Sequence, residues 1–383
     1  MKTKHLVILV CLVIVLGVIY AIQQGARKDA GSAEFRKELV PSDFSSDKVA
    51  VVKLERAGTS VTLKQTPSGW GVAERFLYPA DVSRLRDLFV KICDGRIVQE
   101  LSLTPAQEKE LSLTPETAVT LTLLDAKGKE LQRFVFGSEH RGRPAAPQSF
   151  AMGGNGGRYL RLADGRSVVV PEGFQEVDSR LTDWLNRDFF QVSDLQRAVL
   201  KRNGKTEWEL NFKGGKPSLA GAVPAGKELD ESKTSSLKSA FSWIRFQDVA
   251  DPKAAPETTG MDKAPELLLT DSDDLLYTIR PGAGKDGKHY LRISVAWKGE
   301  AKRNAPANEK PEDKKRLDAE FEKNVRERRE KAEKLNKALS SWTYAVEKNV
   351  FDAATGTRAS FLKDKPKPSP KQEKKNTTAK PVG

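Results

Sequence analysis

The same series of hairpin and helix-start patterns occurs twice in the sequence, and this repetition constrains the fold more than any other feature. Residues 49–63 and 198–212 each alternate apolar and polar positions around a turn, so both predict a β-hairpin. In each copy an aspartate, Asp81 or Asp230, then precedes an amphipathic segment and predicts a helix start. The hairpins and the aspartates lie the same distance apart along the chain, which indicates a duplicated unit.

The later part of each copy also matches. Residues 117–136 and 265–280 predict a second hairpin. A glycine-containing loop and a strand that begins Tyr-Leu-Arg, at Tyr159 and at Tyr290, follow each of these hairpins. Each half is therefore expected to be a strand-rich α+β unit with one main helix, and a period this long favours two domains over a solenoid.

The intervening segments complete the predicted organisation. Residues 172–186 place Phe174, Val177, Leu181 and Leu185 at helical spacing and predict a helix. A long charged helix is expected over 309–341, either projecting or packing against a partner helix, with a returning strand at 342–350. The predicted parts are a short tail (1–5), a transmembrane anchor (6–22), a linker (23–46), a first unit (47–190), a second unit (191–300, completed by 342–362), a charged helical insertion (301–341) and a disordered Lys/Pro-rich tail (363–383).

Residues 6–22 form an uncharged apolar run that follows Lys2 and Lys4. As a helix this run would span about 26 Å, near the lower limit for crossing the hydrocarbon core. The layout is that of an export signal, and the absence of a small-x-small site directly after the run favours an uncleaved anchor over a cleaved signal peptide. The body is expected outside the cytoplasmic membrane, although the basic residues that follow the run would favour the opposite orientation.

The net charge of +13 sits mainly at the two ends of the chain. Residues 1–28 and 363–383 carry +4 and +5, which leaves +4 for residues 29–362. A basic groove for nucleic acid is therefore not expected, whereas the Lys-rich tail could contact an anionic envelope polymer. The 2 cysteines and 3 histidines argue against a disulfide scaffold and a metal enzyme.

The order of these features resembles the bacterial family catalogued as domain of unknown function 4340. The resemblance runs from residue 49 to residue 350 and lies in the order of the anchor, the first hairpin and four short motifs, although the charged helix departs from the pattern. These motifs are Gly69-Trp70, Pro79-Ala80-Asp81, the turn at residues 111–115 and the junction at residues 187–190. The resemblance implies an anchored envelope protein that accompanies an ABC transporter, and it supplies no catalytic residues.

Several residues have a chemical and a structural interpretation, and the structural one is favoured for each. The glycine-rich residues 152–157 lack the Gly-Lys-Ser/Thr ending of a phosphate loop and predict a flexible connection. Residues 271–274 are acidic but lack the glycine and glutamate of a calcium loop, so they predict a hairpin tip. His140 and His289 have no nearby nucleophile or carboxylate in a recurring pattern, so no catalytic role is assigned.

Cys93 and three tryptophans, Trp70, Trp208 and Trp243, are expected in the core. The sequence thus assigns no catalytic, cofactor-binding or metal-binding residue. Three functions stay open: an accessory or scaffold component of a transporter, an envelope glycan-binding or surface-polymer-binding module, and an enzyme. The first is favoured, because duplicated units without site residues suit binding more than catalysis.

Overall fold

The computed structural model describes residues 37–140, 157–306 and 308–365, and the chain divides into two compact units, Met1–Asn186 and Arg187–Gly383. The structure is α+β and rich in strands, as predicted. The predicted anchor at 6–22 and most of the Lys/Pro-rich tail lie outside the described residues. Within those residues, every helix is too short or too polar to cross a membrane.

The first unit is built on one antiparallel sheet. Its strands are β1 (Lys37–Glu38), β2 (Val51–Arg56), β3 (Thr59–Thr66), β4 (Gly69–Val72), β5 (Tyr78–Pro79), β6 (Arg96–Ile97), β7 (Gln99–Leu101), β8 (Val119–Leu124), β9 (Glu130–His140), β10 (Gly157–Leu162) and β11 (Ser167–Val170). The sheet has the order β5-β4-β3-β2-β8-β9-β10-β11-β7, and β1 pairs separately with β6.

Two helices connect these strands. The main helix α1 (Val82–Asp94) begins at Asp81, whose carboxylate accepts a hydrogen bond from the Arg84 amide, as the sequence predicts. It leads the chain from β5, at one edge of the sheet, towards β7 at the opposite edge. The short helix α2 (Pro105–Glu110) begins with a capping box between Thr104 and Gln107.

The second unit is also built on one antiparallel sheet. Its strands are β12 (Leu195–Arg202), β13 (Lys205–Lys213), β14 (Lys216–Leu219), β15 (Lys227–Leu229), β16 (Phe246–Val249), β17 (Glu266–Asp271), β18 (Leu275–Ala283), β19 (His289–Trp297), β20 (Thr343–Val346) and β21 (Leu362–Asp364). The sheet has the order β14-β13-β12-β17-β18-β19-β20-β16, and β15 pairs with β21. Its helices are α3 (Glu231–Ser242), α4 (Pro256–Thr259), α5 (Pro311–Leu339) and α6 (Lys348–Thr355).

The strand order of the second sheet matches that of β4-β3-β2-β8-β9-β10-β11-β7 position by position. Two local contacts also match between the units. Gly137 in β9 and Gly282 in β18 each pass so close to the carbonyl that ends the preceding short helix, at Leu111 or Thr259, that a Cβ would clash with it. The amides of the capping residues Asp81 and Asp230 each donate to an aromatic residue's carbonyl, at Trp184 and Phe361 respectively.

The helix predicted over 172–186 is wrong. The segment forms two 3₁₀ helices, Gln175–Asp178 and Leu181–Trp184, separated by Ser179 and Arg180, which are both extended. Phe174 precedes them with a left-handed backbone, φ 49°. The apolar positions are still mostly buried, because a spacing of three suits a 3₁₀ turn as well as an α-helix.

The strand predicted at 342–350 is shorter than expected. It ends at Val346, and α6 begins directly after Glu347. Val350 and Ala354 lie one turn apart on α6 and are both buried. This spacing of four favours a helix for the second half of the segment.

The long charged helix is present as α5, and it packs on its own unit. It occupies the connection between β19 and β20 and contacts β19 along the strand. Val325, Ala332 and Leu339 form its buried stripe. The Val295 amide donates to the Asn336 side chain at 3.0 Å, which fixes the helix to the strand.

Two predictions of core residues are wrong. The buried stripe of α1 consists of Leu85, Leu88 and Ile92, so Cys93, one residue beyond, is exposed. Trp243 follows α3 and is 77% exposed, because Phe241 and Ile244 take the buried positions at that end. Trp208 is buried as predicted, and its indole N–H donates to the Gly356 carbonyl.

Candidate interaction surfaces

Arg158 follows the glycine-rich loop, and its side chain makes its contacts within the protein. Residues 152–156 lie outside the described residues, but Arg158 is buried in β10. Its guanidinium pairs with Asp178 at 2.5 Å and donates to three carbonyl oxygens, those of Gly137, Gly173 and Phe174. These contacts use its donors to join β9, β10 and the first 3₁₀ helix, which is a structural role.

The two histidines also make structural contacts. The His140 Nδ1 atom lies 2.7 Å from the Tyr159 hydroxyl across neighbouring strands. His289 opens β19 and directly precedes Tyr-Leu-Arg, the same place that Arg158 has in β10. Its ring stacks on Phe351 of α6 with centroids 4.5 Å apart. The same strand position therefore holds an ion pair in one unit and an aromatic stack in the other.

The acidic turn at residues 271–274 anchors the long helix. The Asp271 carboxylate is buried and accepts from the amides of Asp273 and Leu275, and burial raises its pKa. Asp273 lies 3.3 Å from Arg328 and 3.1 Å from Lys331 on α5. Across the described ranges, no three His, Cys, Asp or Glu side chains come together in a way that could hold a metal ion.

A wide cavity lies in the second unit between α3 and α6. This α3–α6 groove has a volume of about 850 Å³. Its walls include Ser236, Ala240 and Trp243 on one side and Val350, Ala353 and Gly356 on the other. Trp243 stands at its rim with most of its indole exposed. Exposed tryptophan beside an apolar depression is typical of surfaces that bind another molecule.

The groove is open at Ala240, where the side chain on α3 is small. Counted from the capping aspartate, Ala240 has the place in α3 that Lys91 has in α1. The Lys91 ammonium lies 2.5 Å from the Glu176 carboxylate, and Arg84 donates to the Ser179 hydroxyl at 2.6 Å. In the first unit these contacts bridge the main helix and the segment that follows β11. No side chain as long as Lys91 extends from position 240.

The first unit has a smaller apolar depression on a different face of its main helix. It measures about 360 Å³ and is lined by Trp70, Val82, Phe89, Val90 and Cys93. The Trp70 and Phe89 rings lie 6.3 Å apart, and Val82 and Val90 are about half exposed. Partial burial raises the pKa of the Cys93 thiol, as does the charge of the adjacent Asp94. The thiol is therefore a poor nucleophile at neutral pH.

A third surface is the turn between β4 and β5, which presents Phe76 and Leu77. Each side chain is 45% exposed, and both residues have left-handed backbones with φ 59° and 62°. A left-handed conformation costs a residue with a side chain about 1–2 kcal/mol. The turn is held in place by Glu74, whose carboxylate accepts from the Thr62 amide, and by the Leu77 amide, which donates to Val72.

The second unit avoids this strain at the matching turn. The residues before β15 are Ala225 and Gly226, in the places that Phe76 and Leu77 have before β5. Gly226 has φ 77°, a conformation that glycine adopts without a steric penalty. The first unit thus has two large apolar residues at positions where the second unit has alanine and glycine.

Sequence reasoning did not find these surfaces. The signal for the groove was present in α3, where serine, threonine and alanine dominate and a tryptophan follows directly. The signal for the turn was Phe76-Leu77 directly before the short strand that leads to Asp81. Trp70, expected in the core, is only partly buried.

Comparison with known proteins gives one result. A family model described as a domain of unknown function (DUF4340) matches residues 70–264, just over half of the 383 residues. The match begins in β4 of the first unit and ends before β17 of the second. Neither a curated protein nor a solved structure matches the chain.

Proposed function

We propose that this chain, which belongs to the DUF4340 family, is a non-catalytic, membrane-anchored envelope protein that serves an ABC-type transport system as an accessory or scaffold component. Residues 6–22 are its single span in the cytoplasmic membrane, and its two units lie on the extracytoplasmic side. We infer from the shared strand order that the units are copies of one ancestral unit.

The observation that carries the proposal is the α3–α6 groove with Trp243 at its rim. The groove combines small and apolar side chains with charged residues such as Lys233 and Asp352 and one large exposed aromatic side chain, a combination that suits a side chain or helix of a partner protein. The occupant assigned to it is a subunit of the transporter. The transporter itself is suggested by the resemblance to the family, and the groove supplies a place for it to bind.

The test is a detergent pull-down of the full-length chain from native membranes, with partners identified by mass spectrometry. An ATPase–permease pair should be recovered with the unmodified chain and lost with Trp243→Ala and with Ala240→Lys, which narrows the groove. Val223→Ala is the matched control, because it removes an exposed apolar side chain of the same unit outside the groove lining. Retention of the pair in both groove variants would contradict the groove assignment.

The alternative function is binding of an envelope glycan or surface polymer, and the exposed indole of Trp243 also favours it, because a flat aromatic face can stack on a sugar ring. It predicts that the chain follows cell-wall material in place of a transporter. Retention should then weaken with salt, with Trp243→Ala and with removal of residues 363–383. This result together with no transporter subunit would reject the accessory role.

A further inference from the structure

We propose that the Phe76–Leu77 turn of the first unit contacts the surface of the lipid bilayer in which residues 6–22 are anchored. The inference rests on the anchor in the proposed function and adds a second point of membrane contact. It does not depend on the transporter or on the α3–α6 groove.

The first argument is that the turn is built to present apolar side chains. Phe76 and Leu77 are each 45% exposed, in backbone conformations that disfavour large side chains. The contacts of Glu74 with Thr62 and of Leu77 with Val72 hold them there. Strained, well-supported backbone of this kind is concentrated at functional sites.

The second argument is the contrast with the other unit. There the two matching positions carry Ala225 and Gly226, where glycine adopts the left-handed backbone without strain, and an exposed apolar side chain of that connection is the smaller Val223. The first unit is also the one that follows the anchor in the sequence. A pair of large apolar residues at these two positions is thus a feature of the unit that follows the anchor in the sequence.

The third argument is reach. Residues 23–36 separate the anchor from β1, which begins at Lys37. Fully extended, they span about 50 Å at most, so the first unit stays close to the bilayer. A tether of this kind gives a weak contact a high effective concentration, and two side chains are then enough for a contact that would be negligible in free solution.

Lipid fits the turn better than a protein partner does. A stable protein interface buries about 800 Å² on each side, whereas two half-exposed side chains at a turn offer much less. A bilayer surface needs no complementary shape and accepts apolar side chains at the depth of the headgroups.

The experiment uses the full-length chain in vesicles of phosphatidylethanolamine and phosphatidylglycerol. The native cysteines are replaced by Cys11→Ser and Cys93→Ser, and the fluorophore NBD is attached through Phe76→Cys. The matched control carries NBD through Ala225→Cys, the same place in the second unit. Lipids with a nitroxide near the headgroup should quench NBD at position 76 about twofold and leave it unquenched at position 225. Adding Leu77→Ser to the first chain should reduce the quenching.

Flotation of the same vesicles separates the two proposals. If the chain floats but NBD is as exposed to water at position 76 as at position 225, the turn does not touch lipid and the inference is wrong. Blue-shifted NBD at position 76 that nitroxide lipids do not quench would show a protein covering the turn and would also overturn it. A chain that does not float overturns the anchor, and the lipid contact with it.

Discussion

The two units share one strand order, yet they differ in how the main helix meets the segment that follows the last hairpin. In the first unit, Lys91–Glu176 and Arg84–Ser179 bridge the two parts. In the second unit, Ala240 leaves the α3–α6 groove open. The buried positions of both helices match, so the two units have a similar helix core and differ in the side chains on this exposed face of the helix.

The largest expected difference concerns the position that precedes Tyr-Leu-Arg. Arg158→Ala should destabilise the first unit by about 3 kcal/mol, because Asp178 and three carbonyl oxygens lose their donor. His289→Ala should cost the second unit about 1 kcal/mol, because it removes one aromatic stack. Hydrogen–deuterium exchange measured by mass spectrometry resolves the two units in the intact chain.

Arg158→Lys is the control for that comparison. It keeps the charge but cannot reproduce the forked contacts, so its effect should lie between those of the native chain and Arg158→Ala. Equal destabilisation of the two units by Arg158→Ala and His289→Ala would contradict the distinction between an ion pair and an aromatic stack.

The bridge beside α1 gives the next effect. Lys91→Ala should cost the first unit about 1–2 kcal/mol, because the Glu176 side chain is only 13% exposed and would lose its partner. Ala240→Lys should change the stability of the second unit by less than about 0.5 kcal/mol, because the groove is open to water. Urea denaturation followed by exchange in each unit measures both. A large cost for Ala240→Lys would show that the groove is filled.

The matching turns before β5 and β15 give a smaller effect. Gly226→Ala should cost about 1 kcal/mol, because it places a Cβ in the left-handed conformation. Leu77→Gly should stay within about 0.5 kcal/mol of neutral, because relief of strain offsets the lost burial of leucine. Thermal unfolding of both variants checks the pair. A loss with Leu77→Gly as large as with Gly226→Ala would mean that position 77 is unstrained.

The smallest effect is on the rate of a thiol reaction. Because the pKa of Cys93 is raised, its thiolate forms at higher pH than that of free cysteine. Alkylation by iodoacetamide in a Cys11→Ser background should therefore be slower than for free cysteine at neutral pH, and its rate should rise to its plateau at higher pH. Asp94→Asn should move this profile to lower pH, because the neighbouring carboxylate is one cause of the shift. An unchanged profile would leave partial burial as the sole cause.

Features set by neighbouring residues could be predicted from the sequence. The capping aspartates and the hairpins depend on residues a few positions apart, and the structure confirms them. The error at residues 172–186 has a local cause as well, since the 3.6-residue pattern does not exclude 3₁₀ turns joined by two extended residues.

The surfaces could not be predicted in the same way. The groove exists because Ala240 faces residues more than a hundred positions later, and that contact follows from tertiary packing. Three apolar residues lie close together at the end of α3, and the core takes Phe241 and Ile244, which leaves Trp243 exposed. Hydrophobicity alone ranks tryptophan as buried, so the sequence pattern favours the wrong residue.

The insertion of α5 gives the two units different routes to the folded state. In the first, Arg161 pairs with Ser167 across a tight turn, a contact that a nascent chain can make as soon as both residues emerge. In the second, Arg292 pairs with Thr343, which lies beyond α5 in the chain. Closing so long a loop lowers the folding rate. During synthesis the first sheet is therefore expected to close early. In the second unit, β20 reaches β19 late, and α5, which forms within the connecting segment, covers the edge of β19.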